Sequence, residues 1–133
     1  MRPLEDVRAV CVGPKKEFGD IRGTLEDWGC DIKTSETISD LHDALKMGMP
    51  DLIFVWLFPE TRDLLDAFPV AKEFGPEIPV VAITDAMNMD LYLEALKRGA
   101  FDAVGVPLNQ RELLRITRSA VNEHIQHAVA KAA

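Results

Sequence analysis

The chain has little cysteine, with only Cys11 and Cys30 among 133 residues. Small secreted scaffolds that depend on disulfides are shorter and richer in cysteine. Cys11 lies within an apolar strand pattern, and Cys30 follows the end of a predicted helix. A disulfide framework is therefore excluded, and two separated thiols favour a reducing, cytoplasmic location.

The sequence also lacks long apolar runs and long basic runs. No segment approaches the roughly 20 apolar residues of a membrane span, and residues 1–6 have no apolar core of a signal peptide. The longest basic run is Lys15–Lys16, and the net charge is −7. Because nucleic-acid affinity comes largely from Lys and Arg, neither a membrane nor a nucleic acid is expected as a direct partner.

The residues that are present predict one domain over 1–133, with its core at about 7–125 and residues 126–133 as a tail or the start of a linker. Strand patterns alternate with helix patterns. The predicted strands are 7–13, 31–35, 51–57, 78–84 and 100–106, and the predicted helices are 17–28, 37–47, 60–74, 88–98 and one from residue 109 onward.

Two helices carry particular expectations. Pro69 lies inside 60–74, where proline would kink a helix, so a short turn and then a helix starting near Pro69 is an equal alternative. The last helix begins with a capping box at Asn109 and Glu112 and has a predicted buried stripe. That stripe comprises Leu113, Ile116, Ala120 and Ile125. Crossovers of this length require parallel strands with right-handed connections, and hence a three-layer α/β sandwich.

Three segments resemble the response-regulator receiver (CheY-like) domain. They are PDLIFV at 50–55, IPVVAIT at 78–84 and LKRGAFDAVGVP at 96–107, the last followed by Glu112 and Leu113. The resemblance implies a flavodoxin-like (βα)5 fold with strand order 2-1-3-4-5. It also implies a place in two-component or phosphorelay signalling and transcription regulation.

The family's chemistry requires acids after the first strand, an aspartate ending the third, a Ser or Thr ending the fourth, and a lysine before the proline that ends the fifth. Carboxylates hold Mg²⁺ and attack phosphorus, while the lysine and hydroxyl neutralise phosphoryl oxygens. The pocket here is degenerate, with Thr84 and the proline retained. Its positions are Val12, Gly13, Pro14, Trp56, Thr84, Val106 and Pro107.

These departures resemble a pseudo-receiver, which is not an enzyme and needs no metal or cofactor. The Gly–Pro after the first strand and the Gly–Cys after the first helix are similar to the amino-terminal domain of amidase-type antiterminator regulators. The RNA-binding helices of such proteins are not evident in the sequence.

Several single residues allow two interpretations. Trp56 is either a signal-responsive plug in the former phosphate site or a packed aromatic. Thr84 is either a residual switch or a cap on the following turn. Asp85 and Asp90 could replace metal ligands but are more typical of a helix start. His124 and His127 have a chelating spacing but no third ligand, so we predict no metal site.

An apolar group surrounds the fourth helix and fifth strand, on the face that receivers use for partners. Its candidate interface residues are Met87, Met89, Leu91, Tyr92, Val104 and Leu108, of which about half are expected in the core. We therefore predict a protein partner or a homodimer through helix 4, strand 5 and helix 5.

The sequence is compatible with three functions. The first is a non-catalytic pseudo-receiver that acts through protein contacts. The second is a small-ligand sensor with an apolar pocket at Trp56, Phe58 and Val106. The third is an active receiver that uses Glu17 or Asp85 as a substitute acid.

Overall fold

The computed structural model of the chain describes residues 2–85 and 87–132, with side chains through residue 126. Five parallel strands form one sheet in the order β2-β1-β3-β4-β5, which confirms the predicted order. The strands are β1 Arg8–Val12, β2 Asp31–Ser35, β3 Leu52–Trp56, β4 Val80–Asp85 and β5 Asp102–Val106. The α-helices are α1 Gly19–Asp27, α2 Ile38–Met47, α3 Ala67–Phe74, α4 Met89–Lys97 and α5 Gln110–Ala132. Lys15–Phe18 and Pro59–Asp66 form 3-10 helices.

The helices cover both faces of the sheet, giving the three layers of a flavodoxin-like fold. One core contains Leu25 of α1 and Leu113 of α5 packed on Phe54, and the other contains Leu41 of α2 and Leu91 of α4. All five residues of β3 are buried, as a central parallel strand requires. The carboxyl ends of the strands therefore meet along one edge, where Trp56 pairs in register with Ile83.

Local chemistry sets several helix ends. Thr37 Oγ1 accepts the Asp40 N–H at 3.0 Å, and Asn109 Oδ1 accepts the Glu112 N–H at 3.0 Å. Both caps were predicted, and each satisfies a backbone donor left open at a helix start. Gly29 ends α1 with a φ of +96°, in the left-handed region that glycine tolerates best.

Two predicted helices are divided in the structure. The prediction of one helix over 17–28 is wrong in its first turn, because residues 15–18 are 3-10 and α1 begins at Gly19. A single helix over 60–74 is also wrong, and the alternative with a helix starting near Pro69 is confirmed. Pro69 is the third residue of α3, where its missing N–H removes no helical hydrogen bond.

Ile125 was predicted in the buried stripe of α5, and this prediction is wrong because the side chain is 51% exposed. A helix turns about 100° per residue, so Ile125 lies about 120° around the axis from Leu113. The inward position at that level is His124, which is half-buried. Its Nε2 lies 3.7 Å from Asp51 Oδ1, just before β3.

The helix α5 continues to Ala132, through most of the segment 126–133 that was predicted as a tail or linker. The boundary of the domain at this end stays a prediction. Among the described residues, no helix is long and apolar enough to cross a membrane.

Candidate functional site

The loop after β1 brings Val12, Gly13 and Pro14 to the carboxyl edge of the sheet without a carboxylate among them. The Gly13 N–H donates to the Ser35 carbonyl oxygen at 2.8 Å. The Lys15 N–H donates to Glu36 Oε1 at 3.0 Å. Since the end of β2 and its following residue take up these two backbone donors, they are not free to hold a phosphate.

Trp56, the last residue of β3, occupies the centre of this edge. Its side chain is only 8% exposed and stacks on Phe58, with the ring centroids 4.5 Å apart and the planes at 22°. It also meets Phe18 edge-on at 5.5 Å. Offset and edge-on geometries are the preferred arrangements of aromatic pairs. The structure therefore favours the interpretation of Trp56 as a packed aromatic.

Gly13 and Trp56 are fitted to each other. Gly13 has a φ of +146°, and a Cβ atom placed on it would lie 2.5 Å from Trp56 Cβ and 3.0 Å from the Phe18 ring. Such a contact is far inside van der Waals distance, so position 13 accepts only glycine while this backbone is kept. The loop after β1 and the end of β3 thus approach each other directly.

A single hydroxyl group holds the loop after Trp56. Thr61 Oγ1 donates to the Trp56 carbonyl oxygen at 2.8 Å and accepts the Phe58 N–H at 3.0 Å. These bonds fix the path of the chain from β3 into the following 3-10 helix. Thr61 was not recognised from the sequence, although a Thr hydroxyl that binds the backbone three residues earlier, here at Phe58, is a common local cap.

Thr84, the one hydroxyl retained from the receiver pattern, is buried near the end of β4 and is 2% exposed. Within the described part of the chain, its Oγ1 has no hydrogen-bond partner. The prediction that Thr84 caps the following turn is therefore wrong. Asp85 Oδ1 accepts the Met87 N–H at 2.9 Å instead, and Asn88 Oδ1 caps α4 through the Leu91 N–H.

The end of β5 carries the remaining two predicted positions. Val106 is half-buried and packs against the core cluster that contains Trp56 and Phe18. Pro107 is exposed, and the peptide bond between the two residues is cis. An aliphatic side chain therefore lies where the receiver pattern has a lysine.

Over residues 2–85 and 87–126, no group of three His, Cys, Asp or Glu side chains could hold a metal ion. Asp85 is used in the turn described above, and Asp90 is exposed in the first turn of α4. The side chain of His127 lies outside the described residues, and His124 faces Asp51.

The two cysteine thiols have low nucleophilic reactivity. Both cysteines are free and buried. Burial, together with the nearby charges of Asp31 and Asp51, raises the pKa of the Cys30 thiol to about 12. Burial also raises the pKa of the Cys11 thiol, and Cys30 adds to the effect. Reactive cysteines have lowered pKa values, so neither is a candidate nucleophile.

The ligand pocket predicted at Trp56, Phe58 and Val106 is misplaced, because the aromatic stack fills that space. A cavity of about 330 Å³ lies beside it, between β4, α4 and β5. We call it the β4–α4–β5 groove; it is lined by Thr84, Asp85, Met89, Tyr92, Ala103 and Gly105.

The candidate interface residues divide between surface and core. Met87 and Met89 are exposed, the latter by 57%, and Tyr92 and Leu108 are half-buried. Leu91 and Val104 are not interface residues, because the inward faces of α4 and β5 bury them to 1% exposure, in line with the expectation that part of this set lies in the core.

Sequence reasoning missed two exposed leucines on α4, Leu93 and Leu96. Together with Met89 they lie at i, i+4 and i+7, which places them on one helical face. That spacing gives α4 a second apolar stripe, nearly opposite the buried one formed by Leu91 and Ala95. A search for two stripes on the same helix would have found them.

Charge on α5 adds a further surface feature. Arg111, Arg115 and Arg118 are exposed at i, i+4 and i+7 in a chain of net charge −7. Glu112 binds Arg115 with Oε1 to Nη2 at 2.6 Å. This hydrogen bond from Arg115 lowers the pKa of Glu112.

The fold and site can now be compared with known proteins. No protein-family model matches the chain. It is 33% identical over 105 residues to the nitrogen assimilation regulatory protein NtrX of Azorhizobium caulinodans, covering 77% of this chain and 23% of that protein. It is 31% identical over 107 residues to the regulatory protein LuxO of Vibrio vulnificus, covering 80% of this chain and 23% of that protein. The chain thus spans about a quarter of the length of these relatives.

Solved structures agree with the sequence relatives. The receiver domain of NtrX from Brucella abortus superposes with a TM-score of 0.77 at 26% identity, covering 86% of this chain and 98% of that one. The receiver domain of NtrC4 from Aquifex aeolicus shares the fold, with a TM-score of 0.75 at 21% identity and 89% and 98% coverage. The chain is a response-regulator receiver domain of the two-component type. Within that class, its sequence is similar to the amino-acid sequences of the NtrX, LuxO and NtrC regulators.

Proposed function

We propose that this domain is a pseudo-receiver, a non-catalytic regulatory module that works through protein contacts without aspartyl phosphorylation. The observation that carries the proposal is the aromatic stack at the end of β3. Trp56 lies where the receiver pattern has its phosphate-accepting aspartate, and Phe18 and Phe58 pack on both of its sides. An indole ring cannot attack phosphorus, and its bulk fills the space that a phosphoryl group would need.

The surrounding positions support the same proposal. Val12, Gly13 and Pro14 offer no carboxylate for Mg²⁺, which binds through oxygen ligands. Val106 offers no cation for the transferred phosphoryl oxygens. Loss of the acids, the acceptor and the lysine together removes each part of the chemistry.

Exposure to acetyl phosphate with Mg²⁺, followed by intact-mass measurement, tests this proposal. We expect no mass increase of one phosphoryl group, while a receiver domain that retains its acids serves as the positive control. The Trp56→Asp variant is also expected to stay unmodified, because restoring an acceptor does not restore the metal ligands. Phosphorylation of the unaltered chain would overturn the proposal, and peptide mapping to Glu17 or Asp85 would identify a substitute acid.

The contact surface is proposed to be the α4–β5–α5 face, with a second copy of the chain as its partner. Met89, Leu93 and Leu96 form an exposed apolar stripe on α4, and Met87 extends it at one end. Flexible methionine side chains suit adaptable protein contacts. Contiguous exposed apolar residues are typical of interaction surfaces.

Opposite charges on α4 and α5 support a symmetric pair. Asp90 and Glu94 on α4 carry negative charge, and Arg111, Arg115 and Arg118 on α5 carry positive charge. In a two-fold symmetric contact, the α4 of one copy meets the α5 of the other twice. Opposite charges on the two helices would then fix the orientation more than they add affinity.

Light scattering on the purified chain tests this surface. We expect a dimer whose mass falls to that of a monomer in Met89→Glu and Tyr92→Glu variants. Met47→Glu is the matched control, because Met47 is also exposed but ends α2, away from α4 and α5. A monomeric unaltered chain, or a dimer that survives Met89→Glu, would exclude this interface.

The proposal also includes the cellular location of the domain and its pathway. We place the domain in the cytoplasm, in a two-component or phosphorelay pathway that controls transcription, with no direct contact to nucleic acid or membrane. The buried reduced thiols Cys11 and Cys30 and the net charge of −7 support this setting. A small-ligand sensor is the second candidate, and the β4–α4–β5 groove is the observation that favours it.

A further inference from the structure

We propose that the β4–α4–β5 groove binds a small planar aromatic molecule that carries one neutral hydrogen-bonding group, such as a hydroxyl. The groove has a volume of about 330 Å³ and shares Met89 and Tyr92 with the proposed dimer face. This is within the range of small-molecule sites, and an apolar cavity of about 150 Å³ is already enough for a benzene ring. Because Met89 and Tyr92 belong to both surfaces, a ligand and a second copy of the chain would compete for the groove.

The β5 side of the groove is lined by the small residues Ala103 and Gly105. Ala103 and Gly105 belong to the same face of the strand, being two positions apart, and Gly105 pairs in register with Thr84. A glycine inside a strand lets another group approach the backbone closely. The missing side-chain volume on β5 is what creates the groove, and a thin ring fits it better than a branched aliphatic group.

The wall of the groove comes from α4 and favours aromatic ligands. Met89 and Tyr92 are separated by one helical turn and both line the groove. A thioether sulfur attracts aromatic rings, and the tyrosine ring adds an offset-stacked or edge-on partner. Neither contact is available to a saturated ring of the same size.

Thr84 supplies the polar contact. It lines the groove, yet its Oγ1 has no hydrogen-bond partner in the part of the chain that the structure describes. A buried hydroxyl without a partner costs about 1–3 kcal/mol. Rotation about the Cα–Cβ bond exchanges the methyl and hydroxyl groups, so a ligand hydroxyl in the groove can provide the missing partner.

Charge at the groove narrows the class of ligand. The Asp85 side chain lines the groove and is exposed. Its Oδ1 accepts the Met87 N–H, and among the described side chains no Lys, Arg or His forms an ion pair with it. An anionic ligand such as a benzoate would be repelled, so the aromatic ligand is expected to be neutral.

Methyl-detected NMR of the full chain, titrated with phenol, toluene and cyclohexanol, tests the proposal. We expect saturable shifts at the Thr84 and Ala103 methyl groups with phenol. Toluene should bind roughly threefold to tenfold more weakly because it cannot bond to Thr84. Cyclohexanol should bind more weakly than phenol because it is not planar.

Three variants make the result specific. Ala103→Phe should abolish binding by filling the groove, with Ala103→Leu as a smaller substitute if the phenylalanine prevents folding. Thr84→Val should remove the preference for phenol over toluene. Thr117→Val is the matched control, since Thr117 is another buried threonine without a described partner for its hydroxyl and does not line the groove.

Several outcomes would overturn the proposal. They are the absence of saturable shifts, binding that persists in a folded Ala103→Phe variant, and equal affinity for phenol and cyclohexanol. An unchanged preference for phenol in Thr84→Val would also overturn it. Shifts at the groove that depend on protein concentration without any added probe would show that a second copy of the chain is the occupant. Because the readout is ligand binding, it is separate from the mass measurements that test dimerisation.

Discussion

Replacement of Trp56 by alanine should be among the most destabilising single changes in this chain. The indole is 8% exposed and has two aromatic neighbours, Phe18 and Phe58. A buried Trp→Ala change costs about 3–5 kcal/mol through lost burial and the cavity that remains. Each lost aromatic pair accounts for about 0.5–1.5 kcal/mol beyond the area effect. Domains of this size unfold with about 5–15 kcal/mol, so a large share of the stability would be lost.

Urea unfolding followed by far-UV circular dichroism is the suitable assay, because fluorescence would lose its main reporter. With a slope of about 2 kcal/mol per molar urea, the midpoint should fall by about 1.5–2.5 M. The matched control is Trp28→Ala, since Trp28 is half-buried at the end of α1 and only borders the core. We expect less than half the loss for Trp28.

The result for Trp56→Ala decides between the two interpretations of that side chain. A loss below about 1 kcal/mol, or one no larger than that of Trp28→Ala, would show that the stack contributes little to folding. Trp56 would then be better described as a movable plug than as a packed residue. The slope of the transition should stay constant, since a change in slope would indicate an altered denatured state.

Four further outcomes are expected. Gly13→Ala should lower the free energy of unfolding, measured with urea, by about 2 kcal/mol or more. The loss should be as large in a Trp56→Ala background, because alanine at position 56 keeps the Cβ atom that causes the contact. Full rescue by Trp56→Ala would be inconsistent with this geometry. Thr37→Ala should lower the free energy of unfolding by about 1 kcal/mol by removing the cap of α2, and no loss would show that water replaces the cap. Thr84→Val should raise the free energy of unfolding by about 1 kcal/mol in the ligand-free chain, measured by thermal unfolding, whereas a decrease would mean that the hydroxyl is satisfied. Above pH 9.0, the unfolded Cys30 thiol loses its proton while the folded thiol keeps it until about pH 12. Cys30 should therefore lower the stability by about 1.4 kcal/mol per pH unit as the pH rises through this window, Cys11 should add a similar slope, and Cys30→Ala should remove only the contribution of Cys30.

The sequence predicted the strands well because their signal is local and strong. β3 and β4 are apolar on both faces, and few structures other than a central parallel strand explain such runs. The caps at Thr37 and Asn109 were also predictable, since a short polar side chain before an apolar periodic segment has one main use. The strand order came from the resemblance to receivers rather than from the patterns.

The errors have physical causes of their own. Over a short segment, apolar spacing does not distinguish a 3-10 helix from an α-helix. The 3-10 segments Lys15–Phe18 and Pro59–Asp66 were therefore not separated from the α-helices that follow them. Ile125 was misjudged because a small error in helical phase grows over three turns. The groove was missed because Ala103 and Gly105 create it through missing volume, which becomes visible only when β5 is placed beside α4.

The two outer strands of the sheet have a consequence for behaviour at high concentration. β2 is five residues long and places Asp31 and Lys33 in solvent, while β5 is equally short and is followed at once by Pro107. Short edge strands that carry charged residues or are followed by proline resist pairing with a strand of another molecule, which is the first step toward fibres. Highly concentrated solutions of the chain should therefore not form fibres by pairing of strands at the sheet edges.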